Sequence, residues 1–123
     1  MLNRNTFLKT MGVSLALAAA HTAFAQAPYP NRPIKLIVPY APGGSVDAFA
    51  RVVGPALEAR LKQPLVIENV AGAGGAIGVN RAVKAAPDGY TLLMGIVSDV
   101  VLAPLTESAV TYTYEDLQPI GPL

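Results

Sequence analysis

The stretch Ile34-Lys35-Leu36-Ile37-Val38-Pro39-Tyr40-Ala41-Pro42-Gly43-Gly44-Ser45 decides the fold. Its first five residues form a short apolar run that ends at a proline, which is typical of a buried strand. The proline- and glycine-rich residues that follow predict a loop. From Val46 onward, apolar residues recur every three or four positions and predict a helix, with Gly54-Pro55 interrupting it. The stretch therefore opens a strand–loop–helix unit.

A second unit of the same kind follows. Leu65 to Glu68 is predicted as a strand, residues 69–76 as a glycine-rich loop, and Ile77 to Ala86 as a helix. Tyr90 to Val97 is uncharged and predicts a third strand, as expected in a sheet covered on both faces. The alternation of strands and helices indicates an α/β fold with a parallel sheet.

Both glycine-rich loops are predicted between the carboxyl end of a strand and the N-terminus of a helix, where open α/β sheets bind ligands. The first N–H groups of a helix lack intrahelical partners, and glycine lets an anion approach them. Neither loop contains a basic residue. The pattern favours a small carboxylate bound by backbone N–H groups. The alternative is that the glycines only make tight turns and allow close helix packing.

Three side chains near the first loop have two interpretations each. Ser45 is predicted as the N-cap of the helix and as a ligand donor. Asp47 either stabilises the first helical turn or, at the mouth of the site, pairs with a ligand ammonium group or holds a water. Tyr40 either covers the ligand with its ring or packs against the protein.

The first 25 residues predict a secretory signal peptide. Arg4 and Lys9 precede an apolar core from Met11 to Ala20, and Ala23-Phe24-Ala25 predicts cleavage after Ala25. The apolar core is too short for a permanent membrane anchor, so we expect an exported, periplasmic protein without stable membrane insertion. Without Arg4 and Lys9, seven cations face eight anions. The cations are scattered, which argues against a nucleic-acid partner.

No catalytic set emerges from the sequence of 123 residues. Cysteine is absent and the single histidine, His21, lies in the predicted signal peptide, so thiolate metal sites and histidine-assisted nucleophiles are not expected. The motif G-x-S-x-G does not occur. We therefore expect a binding protein without a cofactor or a bound metal, not an enzyme.

One motif competes with that interpretation. Residues 72–78, Gly-Ala-Gly-Gly-Ala-Ile-Gly, contain G-x-G-x-x-x-G between a predicted strand and a predicted helix, and Asp99 lies where an acidic ribose ligand could stand. The alternative function is thus an exported dinucleotide-binding oxidoreductase. However, the fingerprint belongs on the first strand of such a fold, and here a complete unit precedes it.

The motifs together resemble a known family. Tyr29 to Gly44 with Asp47 and Arg51, and Glu68-Asn69 with residues 72–78 and 86–93, are similar to the substrate-binding receptors of tripartite tricarboxylate transporters, the Bug or TctC-like proteins. The resemblance implies a two-domain periplasmic-binding-protein-like (type II) fold, a small carboxylate or amino-acid-like solute, and delivery to membrane transporter subunits. It implies these ligand-binding residues: Tyr40, Ala41, Pro42, Gly43, Gly44, Ser45, Asp47, Gly72, Ala73, Gly74, Gly75, Ala76 and Ser98.

Two departures from the family pattern carry expectations. After the third strand this chain has Ile96-Val97-Ser98-Asp99, and Asp99 near an anion site is expected to repel a tricarboxylate and to favour a ligand with an amino or neutral group. The chain is also short for this family. We expect residues 26–123 to be the first part of domain 1 and to bind solute weakly or not at all alone. The alternative is a truncated remnant without function of its own.

Overall fold

The computed structural model of the chain describes residues 28–108 and 110–121. The predicted signal peptide and its cleavage site lie outside the described residues. Within them, three strands form one sheet: β1 (Ile34–Val38), β2 (Leu65–Asn69) and β3 (Thr91–Leu93). The strand order is β2-β1-β3, and β1 pairs in parallel with both neighbours. The predicted α/β architecture with a parallel sheet is confirmed.

The central strand β1 carries the core. Leu36 pairs with Ile67 of β2 on one side and with Leu92 of β3 on the other. Leu36 and Val38 form a buried cluster with Ala50 of the following helix and with Met94. β1 is therefore the central strand, because β2, β3 and the following helix together remove its apolar residues from water.

Helix α1 (Ser45–Leu61) packs beside β1 and β2 and runs through Pro55 without a break, so the predicted interruption at Gly54-Pro55 is wrong. Gly54 is buried, and a Cβ there would lie 3.9 Å from Leu65 Cδ2. The N-cap of α1 is Gly44, without a side-chain capping bond. The prediction of Ser45 as N-cap is thus also wrong, because Ser45 is already the first helical residue.

Helix α2 (Ala76–Val83) follows a 3-10 turn at Ala73–Gly75 and lies on β1 and β3. Gly78 makes this approach possible, since a Cβ there would lie 2.7 Å from both Pro39 Cα and the Val70 carbonyl oxygen. The helix starts one residue before its predicted start and ends three residues before its predicted end.

Strand β3 is much shorter than the predicted Tyr90–Val97. Met94 N–H still donates to the Ile37 carbonyl oxygen at 2.9 Å, and the chain then turns away at Gly95. A Cβ at Gly95 would lie 2.5 Å from Val100 Cγ1, so the turn needs glycine. A π-helix (Ser98–Leu102) and helix α3 (Ala103–Thr106) follow, and a 3-10 turn forms at Tyr114–Asp116.

The segment before β1 is fixed to the turn before β3. The Tyr29 hydroxyl donates to the Gly89 carbonyl oxygen at 2.8 Å, and the Tyr29 and Tyr90 rings meet edge to face at 5.0 Å. Arg32 lies 4.1 Å from the centre of the Tyr90 ring and pairs with Asp88 at 2.7 Å.

Across residues 28–108 and 110–121, helices of the length and apolarity needed to cross a membrane do not occur.

Candidate functional site

The three parallel strands end at one edge of the sheet, and the loops that follow them form the candidate site. The first loop (residues 39–44) follows β1, the second loop (residues 70–75) follows β2, and the third connection (residues 94–99) follows β3. Each leads into helical backbone. The predicted location of both glycine-rich loops at this edge is therefore confirmed by the topology.

Asp47, in the first turn of α1, holds the first loop from beneath. Its side chain is almost completely buried, and Oδ2 accepts hydrogen bonds from Gly43 N–H at 2.8 Å and Arg51 Nε at 2.9 Å. Oδ1 accepts a hydrogen bond from Asn69 Nδ2 at 3.0 Å. These bonds hold the pKa of Asp47 far below its usual range, the Arg51 bond being the largest cause. Both oxygens are thus engaged within the protein.

Arg51 and Asn69 support the first loop, and the residue pattern alone does not single them out. Arg51 neutralises Asp47, so the buried carboxylate leaves little net charge under the loop. Asn69, the last residue of β2, also donates to the Tyr40 carbonyl oxygen at 3.1 Å and so connects the first loop to β2. The i,i+4 spacing of Asp47 and Arg51 is a signal for the first contact. Only the tertiary fold reveals the second.

In the first loop, two of the predicted N–H donors are already used. Gly43 N–H donates to Asp47, and Gly44 N–H donates to the Ala41 carbonyl oxygen at 3.3 Å. In the described part of the chain, the backbone N–H groups of Ser45 and Val46 have no protein acceptor. These two groups belong to the first turn of a 17-residue helix and carry its partial positive charge. The free donors therefore lie at the helix start, not at the glycines.

The second loop shows the same division. Gly75 N–H donates to the Gly72 carbonyl oxygen at 3.0 Å, and Ala76 N–H donates to the Ala73 carbonyl oxygen. Within the described residues, Ala73 and Gly74 have N–H groups without a protein acceptor. Both residues have positive φ angles, 45° at Ala73 and 60° at Gly74. This tight turn exposes backbone donors where a longer helix would conceal them.

The third connection meets both loops at Asp99. The Asp99 side chain is completely buried, and Oδ1 accepts a hydrogen bond from Ile96 N–H at 2.8 Å. A Cβ at Gly75 would lie 3.1 Å from Asp99 Oδ2 and 3.3 Å from the Tyr40 hydroxyl oxygen. Tyr40, Gly75 and Asp99 therefore converge on one point. Burial raises the pKa of Asp99, and it also raises the pKa of Tyr40.

The position of Asp99 changes two expectations. Because its carboxyl group is buried beneath the loops, it does not present a charge to a ligand, and the expected direct repulsion of a tricarboxylate does not follow from the structure. For the same reason it is not placed to bind a ribose hydroxyl. Ser98 is exposed beside it. Among the described residues, acidic or histidine side chains do not form a group that could hold a metal ion.

A cleft of ≈ 370 Å³ lies between the start of α1 and the end of β3. It is lined by Ser45, Val46, Phe49, Leu93, Met94, Gly95, Ile96 and Gly121. Among the described residues, no charged side chain lines this cleft. Of the predicted ligand-binding residues, only Ser45 lines it, whereas Tyr40 and Gly75 meet at the Asp99 junction. A second hollow of ≈ 450 Å³, at Pro55 and Lys62, lies near the start of β2, away from the loops.

Comparisons with known proteins agree with this fold. The family described as tripartite tricarboxylate transporter family receptor matches residues 49–123. The chain is 40% identical over 122 residues to protein BugT of Bordetella pertussis, an alignment that covers 98% of this chain and 37% of that protein. The chain thus spans about a third of the length of this curated relative.

Two solved structures share the architecture. One is described as a periplasmic transporter, with 45% identity, a TM-score of 0.65, and coverage of 71% of this chain and 29% of that one. The other is MatC from Rhodopseudomonas palustris with bound malate, with 35% identity, a TM-score of 0.71, and coverage of 75% and 32%. The predicted periplasmic-binding-protein-like fold, present here in part, is confirmed.

Proposed function

Because this chain belongs to the family of tripartite tricarboxylate transporter receptors, we propose that it captures a small carboxylate solute at the carboxyl edge of its sheet. Members of this family are receptors and not enzymes, so the alternative of a dinucleotide-binding oxidoreductase is wrong. The proposed ligand is an anion with one carboxylate directed at the first turn of α1 and with a small body in the adjoining cleft.

The observation that carries the proposal is the set of free backbone donors. Ser45 and Val46 offer N–H groups at the start of a long helix, and the same two residues line the ≈ 370 Å³ cleft. Ala73 and Gly74 offer a second pair in the second loop. Hydrogen bonds from backbone N–H groups stabilise an anion without a charged side chain, and the helix dipole adds to them.

The electrostatics of the wall support a small anion with few charges. Arg51 lies beneath the first loop, and its Nε is already bonded to Asp47. Polyphosphates and polycarboxylates require several cations or a metal to balance their charge. The malate bound by MatC, a relative of this chain, is an example of a small acid of the proposed class.

The cellular role proposed for the chain follows from the family. We propose that the predicted signal peptide directs the chain to the periplasm and that cleavage follows Ala25. The loaded receptor then delivers its solute to the membrane subunits of a tripartite transporter. In this role Tyr40, Ala41 to Ser45, residues 72–76 and Ser98 form one wall of the site, and Asp47 acts by holding the first loop.

The test uses a chimera, since the whole receptor's activity belongs to a chain about three times as long. Residues 26–123 replace the matching region of BugT, and calorimetry measures the binding of malate, citrate, glutamate and malamide, the diamide of malate, which has no carboxylate. We expect at least one of the acids to bind with a Kd below about 1 mM, and malamide to bind more weakly than that acid. The 26–123 chain alone is the control and is expected to bind at least tenfold more weakly.

Two results would contradict the proposal. One is a folded chimera that binds none of the acids, and the other is equal affinity for malamide and for the acid that binds best. NADPH provides a separate negative control, because a fluorescence change on mixing would restore the dinucleotide alternative.

A further inference from the structure

Asp99 stands out among the titratable groups because its burial is incompletely compensated. Oδ1 is bonded to Ile96 N–H, whereas Oδ2 is buried without a hydrogen-bond partner among the described residues. Asp99 also takes part in no ion pair in that part of the chain. A buried carboxylate with neither a cation nor full hydrogen bonding is costly, so the neutral acid is favoured in the folded state.

The free oxygen of Asp99 faces the junction of the two ligand loops. Oδ2 faces the position where a side chain of Gly75 would begin, and the Tyr40 hydroxyl borders the same point. Gly75 has φ +102° and is buried, so the second loop reaches this point only as glycine. The carboxyl group of Asp99, which belongs to the third connection, thus lies where Tyr40 of the first loop and Gly75 of the second loop meet.

We propose that Asp99 is a positioning residue that holds the two ligand loops together while its carboxyl group is neutral. This rests on the proposed function of the loops. Loss of the proton leaves a buried carboxylate without a counter-charge at the junction of Tyr40 and Gly75, which draws water between the loops and lowers solute affinity. Asp99 therefore makes solute capture depend on pH without touching the solute.

The other groups around Asp99 are compatible with this role. The Tyr40 hydroxyl faces it from the first loop and also contacts Ser98, and the Tyr112 hydroxyl donates to the Asp99 carbonyl oxygen at 2.7 Å. Tyr40 and Tyr112 both have pKa values raised by burial, so they stay neutral over the range in which a carboxyl group titrates. Glu107 is the other carboxylate near this junction. A Cβ at Gly74 would lie 4.0 Å from its Oε1.

The first experiment needs no solute. The Asp99 side-chain carboxyl carbon is titrated by NMR in the 123-residue chain, together with the backbone amides of Tyr40, Gly74 and Gly75. We expect a midpoint above the usual 3.8, with the loop amides following the same midpoint. Asp99→Asn should abolish the loop titration, and the control Glu107→Gln should leave it in place.

Each other result of this titration would overturn the proposal. A midpoint at or below 3.8, which includes the result for an unfolded chain, removes the neutral acid. Loop amides that ignore the Asp99 titration, or that lose it in Glu107→Gln, remove the coupling between Asp99 and the loops.

The second experiment measures solute affinity in the BugT chimera. Above the Asp99 midpoint, malate affinity should fall by up to about tenfold per pH unit, the limit for one linked proton, while Asp99→Asn should lack this fall. Parallel profiles in the two proteins would contradict the proposal. If no acid binds, the proposed function fails, and the ligand-free titration still decides the role of Asp99.

Discussion

The carboxylate of Asp47 accepts a 2.8 Å hydrogen bond from the backbone N–H of Gly43, four residues earlier in the chain. The first turn of α1 therefore fixes the loop that leads into it. Gly43 has φ +82°, and its bond to Asp47 turns its N–H away from the ligand side. The loop conformation that leaves the Ser45 and Val46 donors free thus depends on a carboxylate whose two oxygens both accept hydrogen bonds within the protein.

Replacing Asp47 should destabilise the whole domain. Asp47→Ala leaves Gly43 N–H, Asn69 Nδ2 and the Arg51 guanidinium without their acceptor, so we expect the melting temperature to fall by about 5–15 °C. Circular dichroism measures the transition. Asp88→Ala, which removes an exposed partner of Arg32, is the control and should change the melting temperature by less than half as much. Equal effects would show that Asp47 does not hold the loop.

Asp47 should also determine part of the acid limb, the fall in the free energy of unfolding as the pH decreases. Its pKa is lowered in the folded state, so the unfolded state binds more protons as the pH falls below 3.8. The stabilisation is present above that value and is lost toward the lower, folded-state pKa. Glu68, whose pKa is lowered chiefly by its bond to Lys35, acts in the same direction. Urea unfolding between pH 2 and 7 should give a flatter acid limb for Asp47→Asn, and an unchanged limb contradicts this.

Two buried helical glycines should respond in opposite ways to alanine. Gly78→Ala places a Cβ 2.7 Å from Pro39 Cα, a backbone atom, so α2 must move and stability should fall by about 1–3 kcal/mol. Gly54→Ala places its Cβ at an ordinary contact distance of 3.9 Å and should leave stability equal or raise it by up to about 1 kcal/mol. Denaturant midpoints compare the two. A harmless Gly78→Ala would mean that α2 does not lie against Pro39.

A proline can test the backbone donor at Ser45. Ser45 is the first residue of α1, where proline is well tolerated, and Gly44 precedes it with φ −72° and ψ 169°, a conformation that proline accepts in its neighbour. Ser45→Pro removes the N–H and the hydroxyl, whereas Ser45→Ala removes only the hydroxyl. In the BugT chimera we expect about tenfold or greater loss of carboxylate affinity for Ser45→Pro and a smaller loss for Ser45→Ala. Similar losses would assign the contact to the hydroxyl.

Local sequence signals predicted much of the frame. The apolar run Ile34–Val38 and the glycines after each strand specify where strands stop, so β1, β2 and both loops at one edge were predicted. The end of β3 was not, because Tyr90–Val97 remains apolar throughout. The strand ends early because Asp99 binds Ile96 N–H and Gly95 admits Val100, contacts that a hydrophobicity pattern does not contain.

The candidate site was predicted in location but not in detail. Glycines at helix starts indicated backbone donors, yet in the first loop the Gly43 and Gly44 N–H groups are used within the protein, and the free donors there belong to Ser45 and Val46. The role of Asn69 depends on contacts with Asp47 and Tyr40, which precede it in the chain by 22 and 29 positions. Such long-range hydrogen bonds follow from the register of the sheet and leave no periodic trace in the sequence.

The backbone donors of α1 have a consequence for how such a receptor can diverge. A mutation changes side chains and leaves the peptide N–H in place unless it introduces proline, so ordinary substitutions at Ser45 and Val46 preserve the proposed anion contact. New solute preferences must then arise from the neighbouring surface, where half-exposed Phe49 and Ile96 line the cleft. The attachment point for the acid group is thereby kept apart from the part that evolution can vary.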